Sequence, residues 1–86
     1  MTHVTMYCTH YCPRCLLAER LLRNKGASVH KLRVDLQPRL RFQMEKTTGR
    51  HTVPQIFIGK KHIGDYDDLL SLNQSGHLES MLDTNP

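Results

Sequence analysis

The apolar positions of this chain alternate between strand-like runs and helical stripes. Residues 3–7 form a strand-like run, and the leucine-rich stretch that begins at residue 16 has the spacing of a helix. Within that helix, Leu17, Leu21 and Leu22 are expected to form the buried stripe, with charged residues on the opposite face. Gly26 suits a left-handed helix end, so the helix is predicted to stop there.

A second strand and a second helix are predicted next. Val29, Leu32 and Val34 alternate imperfectly, as in a partly buried strand. Pro38 suits the first turn of a helix, because its missing N–H would have no partner there. Gly49 is the predicted end of this helix.

The remainder of the chain predicts a hairpin followed by a helical region. Residues 55–58 and 61–64 are strand-like, and Gly59-Lys60 between them is a typical tight turn. Asp65 can cap a last helical region, which Gly76 interrupts. The element order is therefore β-α-β-α-β-β-α, with a parallel crossover at the start and antiparallel strands in the hairpin. This predicts an α/β fold: a four-stranded mixed sheet flanked by helices, in a single domain of residues 1–86.

Composition narrows the class of protein. The chain has 86 residues, 38% of them hydrophobic, and no apolar run near the roughly 20 residues of a membrane span. The start of the chain carries no basic region or apolar signal segment, so we expect a cytoplasmic protein that does not bind membranes. All three cysteines lie within residues 8–15, which argues against a secreted, disulfide-stabilised scaffold.

The net charge of +4 is unevenly distributed. Residues 14–46 carry nine Lys and Arg against three acids, whereas residues 47–86 carry three against five. The first half is therefore expected to present a basic surface, which is either simply solvated or attracts small anions and acidic proteins. Nucleic-acid binding is not expected, because no basic cluster is interleaved with aromatic residues that could stack on bases.

The segment Cys12-Pro13-Arg14-Cys15 carries the candidate chemistry. It directly follows the first strand and opens the first helix, where backbone N–H groups and the helix dipole favour a thiolate. Cys12 is the expected nucleophile. Cys15 lies one turn deeper and is the natural resolving thiol. In an intracellular strand–helix–strand unit, this spacing predicts a thiol–disulfide redox site.

Metal binding is the competing interpretation of the cysteines. Cys8, Cys12 and Cys15 have a spacing similar to the cluster motif of radical S-adenosylmethionine enzymes, but those enzymes need a much longer chain. His10 could complete a zinc site with the cysteines. We expect no metal, and we interpret Cys8 as a semi-buried structural thiol.

Two further segments suggest a peptide-like substrate. Pro54 follows Thr52-Val53 at the head of a strand, and a cis peptide there would turn the Val53 backbone toward a substrate that pairs as an added strand. Residues 64–68 place a glycine before carboxylates at a helix start. Such a segment can bind the head group of an amino acid, or it can simply cap the helix.

Taken in order, Cys12-Pro13-Arg14-Cys15, the segment 52–58 and Gly64 with Asp67-Asp68 resemble a dithiol glutaredoxin of the short bacterial type. The resemblance implies a thioredoxin-like fold and glutathione-dependent reduction of disulfides and glutathionylated proteins, in electron transport and cell redox homeostasis. Its catalytic pair corresponds to Cys12 and Cys15. Its glutathione site corresponds to Tyr11, Arg14, Thr52, Val53, Pro54, Tyr66, Asp67 and Asp68.

The implied partners are glutathione, as reductant, and oxidised or glutathionylated proteins, with which the chain would react as a monomer. Two alternatives stay open: an electron donor reduced by thioredoxin reductase, and a carrier that holds a two-iron cluster between two protomers through Cys12 and glutathione. Pro13 argues against the carrier, because glutaredoxins that hold clusters mostly have a small residue after the nucleophile.

Three positions depart from the family pattern. Arg14 stands where the family usually has a tyrosine, Thr9 where a basic residue is common, and Asp65 where a second glycine is usual. Arg14 could contact a glutathione carboxylate, whereas Asp65 adds a negative charge near the expected γ-glutamyl carboxylate. These departures bear on substrate preference and glutathione affinity rather than on the fold.

Overall fold

The computed structural model describes residues 3–83 and contains one four-stranded sheet with helices on both faces. The strands are β1 (His3–Cys8), β2 (Ser28–Arg33), β3 (Gln55–Ile58) and β4 (Lys61–Gly64). The helices are α1 (Pro13–Asn24), α2 (Pro38–Thr48), α3 (Tyr66–Gln74) and α4 (His77–Asp83). In the sheet order β2-β1-β3-β4, β1 is parallel to β2, and β3 is antiparallel to both β1 and β4. The expected thioredoxin-like architecture is confirmed.

The two faces of the sheet have separate cores, because successive side chains of a strand point to opposite faces. On one face, Val4, Met6 and Cys8 pack against α1, α3 and α4. On the other face, Tyr7 packs with Leu40 and Met44 of α2. The sheet thus holds the start of α1 and the start of α3 on the same face.

The helix ends follow the sequence signals closely. Lys25 caps α1 and is followed by Gly26 at φ +87°, and Gly49 ends α2 at φ +71°, a backbone conformation that favours glycine. Pro38 is the first residue of α2, as expected. Within residues 3–83, no helix is both long enough and apolar enough to span a membrane.

Two expectations are wrong in detail. Leu17 was expected in the buried stripe of α1, but its side chain is 43% exposed, and the buried residues are Cys15, Ala18 and Leu22. Cys15 and Ala18 face the sheet in this part of α1, and the side chain of Leu17 therefore faces solvent. The predicted element order ends in one helix, but the chain has two there: the break expected at Gly76 is confirmed, and this residue, at φ +82°, separates α3 from α4.

Candidate active site

Cys12 and Cys15 form a disulfide at the start of α1, with their Cα atoms 5.2 Å apart. Cys12 is the N-cap of the helix, and its Sγ accepts a hydrogen bond from the backbone N–H of Cys15 at 3.1 Å. Cys12 is half-buried, whereas Cys15 is only 5% exposed. The first turn of α1 contains no acidic residue. A thiolate on Cys12 would therefore face a backbone donor and the positive end of the helix dipole.

A cavity of about 140 Å³ lies beside the disulfide, and its lining includes Cys8, Glu19 and Lys31. Cys8 is a free thiol at the end of β1, and burial raises its pKa. Cys8 is only 2% exposed, so it is a fully buried thiol rather than the semi-buried one that was expected. Within residues 3–83, no group of three or more His, Cys, Asp or Glu side chains is arranged to hold a metal ion.

The segment Thr52-Val53-Pro54 leads into β3 near the disulfide. Its Val53–Pro54 peptide is cis, and Pro54 is fully buried. Val53 is half-buried and packs against both cores, including the one that also contacts Cys12. Among residues 3–83, neither the N–H nor the C=O of Val53 takes part in a hydrogen bond. Both groups are therefore available to a peptide-like ligand.

A buried glutamine, which the sequence interpretation did not single out, supports this segment. Gln55 is fully buried and donates from Nε2 to the carbonyl oxygen of Thr52 at 3.0 Å. Its Oε1 lies 2.8 Å from Nε2 of His62, on the neighbouring strand β4. A glutamine at the head of an otherwise apolar strand was the sequence signal, because a buried amide must find hydrogen-bond partners.

The start of α3 presents three acidic residues with different partners. Asp65 caps the helix: it accepts from the Asp68 N–H at 3.0 Å, and Asp68 accepts from the Asp65 N–H at 3.0 Å. Arg50 also donates to Asp68 at 3.0 Å. The Asp65 N–H, followed by the Arg50 guanidinium, lowers the pKa of Asp68. The helix-capping interpretation of this segment is therefore confirmed for Asp65 and Asp68.

Arg14 links the start of α1 to the start of α3. Its guanidinium forms an ion pair with Asp67 and lies over the Tyr66 ring, 5.8 Å from the ring centroid. The side chains of Arg14 and Asp67 are 52% and 72% exposed. The pairing of Arg14 with Asp67 was not foreseen, because nothing in the sequence indicates which carboxylate a long exposed arginine reaches.

The structure brings most of the candidate residues to one side of the disulfide. Cys12, Val53 and Tyr66 pack against the same core, and Arg14 bridges to Asp67 above it. Thr52 is exposed, and its carbonyl accepts from Gln55. Tyr11 is 88% exposed on the loop before Cys12 and makes none of these contacts.

Comparisons with known proteins find relatives in sequence and in structure. The family model described as Glutaredoxin matches residues 4–63. The chain is 44% identical to Glutaredoxin 3 of Escherichia coli, covering 95% of this chain and 99% of that one. It is 40% identical to the Glutaredoxin of Pseudomonas aeruginosa, covering 95% and 98%. A buckwheat glutaredoxin–glutathione complex superposes with a TM-score of 0.89 at 28% identity, covering 96% of this chain and 78% of that one.

Proposed function

The chain belongs to the glutaredoxin family and is a thiol–disulfide oxidoreductase, and we propose that glutathione is its reductant, Cys12 its nucleophile and Cys15 its resolving thiol. One observation carries the assignment of the nucleophile. The Sγ of Cys12 is the acceptor of a backbone N–H at the start of α1, while Cys15 is buried beneath it. A negative charge on Cys12 is therefore stabilised, and Cys15 is shielded from bulky substrates.

With a glutathionylated substrate, the Cys12 thiolate attacks the glutathione sulfur and releases the substrate thiolate. Glutathione then remains on Cys12 as a mixed disulfide. The thiolate of a second glutathione attacks the glutathione sulfur of that bond, which releases Cys12 and forms glutathione disulfide. Cys15 takes no part in this cycle.

With a protein disulfide, Cys12 attacks one sulfur and the client's other thiol leaves. The Cys15 thiolate then attacks Cys12, which releases the second client thiol and leaves the Cys12–Cys15 disulfide. Two glutathione molecules return this disulfide to two thiols, and they leave as glutathione disulfide. The bond between Cys12 and Cys15 in the structure corresponds to the oxidised state of this cycle.

We assign the cysteinyl-glycine backbone of glutathione to Thr52, Val53 and Pro54, and its γ-glutamyl head group to Tyr66 and Asp67. The hydrogen-bonding groups of Val53 support the first assignment, because an extended peptide can pair with them as an added strand. The exposed Asp67 carboxylate supports the second, since the head group carries an ammonium. Asp68 contributes less, because its carboxylate caps α3 and binds Arg50.

The test is reduction of two substrates by the wild type, Cys12→Ser and Cys15→Ser. Each is assayed with NADPH, glutathione and glutathione reductase, and separately with thioredoxin reductase. We expect Cys12→Ser to abolish both reactions. Cys15→Ser should keep reduction of a glutathione mixed disulfide and lose reduction of a protein disulfide. Equal losses in both variants would contradict the assigned roles, and turnover with thioredoxin reductase alone would contradict glutathione as the reductant.

We further propose that residues 1–86 form one domain that acts as a monomer in the cytoplasm, on oxidised and glutathionylated proteins. The placement of all three cysteines within residues 8–15 supports a reducing compartment, because none of them could staple distant loops as in secreted scaffolds. Analytical ultracentrifugation of the reduced protein tests the monomer, and a stable dimer would contradict it.

A further inference from the structure

The two carboxylates in the first turn of α3 each bind an arginine. Asp67 pairs with Arg14, and Asp68 pairs with Arg50 at 3.0 Å. Asp68 also accepts the Asp65 N–H, so its carboxylate is part of the helix cap. Among residues 3–83, the Asp67 carboxylate pairs with Arg14 alone. Asp67 is thus the carboxylate in this turn that a ligand cation can reach by displacing one side chain.

Arg14 reaches Asp67 from the catalytic motif itself. It lies between Cys12 and Cys15 at the start of α1, and its guanidinium also sits over the Tyr66 ring. Two independent contacts therefore hold the same guanidinium at the start of α3, one electrostatic and one a cation–π contact. A permanently charged group occupies the place where the positive end of a γ-glutamyl head group would approach Asp67.

We propose that Arg14 competes with the γ-glutamyl ammonium for Asp67 and is therefore a specificity-determining residue of this enzyme. The inference rests on the proposed glutathione reaction and on Asp67 as the head-group carboxylate. To bind, the ammonium must displace the guanidinium or share the carboxylate with it. Part of the attraction between glutathione and Asp67 is then offset by the loss of the Arg14 pair.

Competition of this kind reduces selectivity for the ammonium while leaving the thiol chemistry intact. An exposed ion pair changes an affinity by a factor of about 1.4 to 5. The wild-type enzyme is therefore expected to discriminate poorly between glutathione and a thiol that lacks the α-amino group. Its substrate class extends to mixed disulfides of small thiols whose head group carries a carboxylate without an ammonium.

The experiment compares two mixed disulfides of the same aromatic thiol. One contains glutathione, and the other contains glutaryl-cysteinyl-glycine, which lacks only the α-amino group. KM and kcat are measured for both with the wild type, Arg14→Gln, Asp67→Asn and the double variant. The KM for the glutaryl substrate divided by the KM for the glutathione substrate reports recognition of the ammonium. Any effect of Arg14 on the reactivity of Cys12 acts equally on both substrates and cancels in this ratio.

We expect Arg14→Gln to increase the preference for glutathione, measured by this ratio, by about two- to fivefold over the wild type. Asp67→Asn and the double variant should show little preference. Arg20→Gln is the matched control, because it removes the same charge from an exposed position on α1 and should leave the ratio unchanged.

Three outcomes would overturn the proposal. The ratio could be the same in the wild type and Arg14→Gln. Arg14→Gln could raise both KM values by the same factor, which would mean that Arg14 binds the carboxylate common to both substrates. Arg20→Gln could match Arg14→Gln, which would reduce the effect to net charge. A wild type inactive on the glutathione substrate would instead contradict the proposed function itself.

Discussion

Gln55 and His62 are joined by a hydrogen bond of 2.8 Å between the glutamine Oε1 and the histidine Nε2. The second hydrogen bond of the Gln55 amide shows which residue donates in this one. Because Nε2 of Gln55 donates to the Thr52 carbonyl, Oε1 is the atom that faces His62 and must accept. His62 therefore carries its proton on Nε2, and its ring also packs against the Phe57 ring, with centroids 4.9 Å apart and an interplanar angle of 32°. A buried amide thus connects β4 to the segment that we assign to glutathione.

Gln55→Ala is expected to lower the free energy of unfolding by about 1–3 kcal/mol, because it leaves the His62 N–H and the Thr52 carbonyl without their partner. It should also raise KM for a glutathione mixed disulfide more than it lowers kcat, since Thr52 and Val53 lose their support. Urea denaturation and steady-state kinetics measure the two effects.

Gln74→Ala is the control for that prediction, because Gln74 is an exposed glutamine on α3. Its truncation should cost much less stability and leave KM unchanged. If the two variants behave alike, the hydrogen bonds of Gln55 do not position Thr52 and Val53 for the substrate.

Protonation of His62 is expected to destabilise the fold. Burial, followed by the positive charge of Arg50, lowers the pKa of His62, while Asp68 acts in the opposite direction. The folded state thus favours the neutral ring. The corresponding stability is fully present above the unfolded-state pKa of about 6.5 and is lost as the pH falls from there through the lower pKa of the folded state.

Urea midpoints of the wild type and His62→Gln between pH 7.5 and pH 5 measure this contribution. The wild type should lose more stability over that range than the variant, which keeps a side-chain donor but does not titrate. The difference between the two proteins isolates His62 from the other histidines. Parallel losses would mean that His62 does not contribute to the pH dependence.

Cys12 is expected to react with iodoacetamide at pH 6 at least about tenfold faster than free cysteine, because the Cys15 N–H and the helix start stabilise its thiolate. The measurement uses reduced Cys15→Ser, in which the backbone donor is retained and Cys12 is the accessible thiol. Cys12→Ser is the control, because only the buried Cys8 and Cys15 thiols remain and labelling should be slow. A rate equal to that of free cysteine would argue against Cys12 as the nucleophile.

The sequence predicted best where a local backbone requirement fixes the residue type. Gly26, Gly49 and Asp65 each end or begin a helix where they were expected to, since the conformation or the cap depends on neighbouring residues only. The Cys12–Cys15 pair was predicted for a similar reason, because both cysteines belong to one short segment at a helix start. Which face of α1 is buried could not be predicted, because leucines lie on several sides of the helix. Packing on the sheet selects the face that carries Cys15 and Ala18.

Side-chain pairs between distant segments could not be predicted from the sequence. The spacing of residues 64–68 predicted both a cap and a head-group site, but it could not divide the carboxylates between these two roles. The division depends on Arg50 and Arg14, which arrive from other elements and bind Asp68 and Asp67. Long exposed arginines reach several partners, so only the folded structure selects one of them.

Gly64 supplies the last prediction, because it joins β4 to the capping box of α3. It adopts φ +120°, and a Cβ built there would collide with the Asp68 carboxylate. Gly64→Ala must therefore accept an unfavourable backbone conformation and also move Asp68 away from the Asp65 N–H and Arg50.

Gly76→Ala is the matched control, since Gly76 has φ +82° and open space around its Cβ position. We expect Gly76→Ala to cost about 1–2 kcal/mol from conformation alone. Gly64→Ala should cost clearly more and should raise KM for glutathione substrates as the start of α3 shifts, which urea denaturation and kinetics on the same two variants would measure. Equal losses of stability would show that Asp68 moves aside freely and that the capping box contributes little to holding the start of α3.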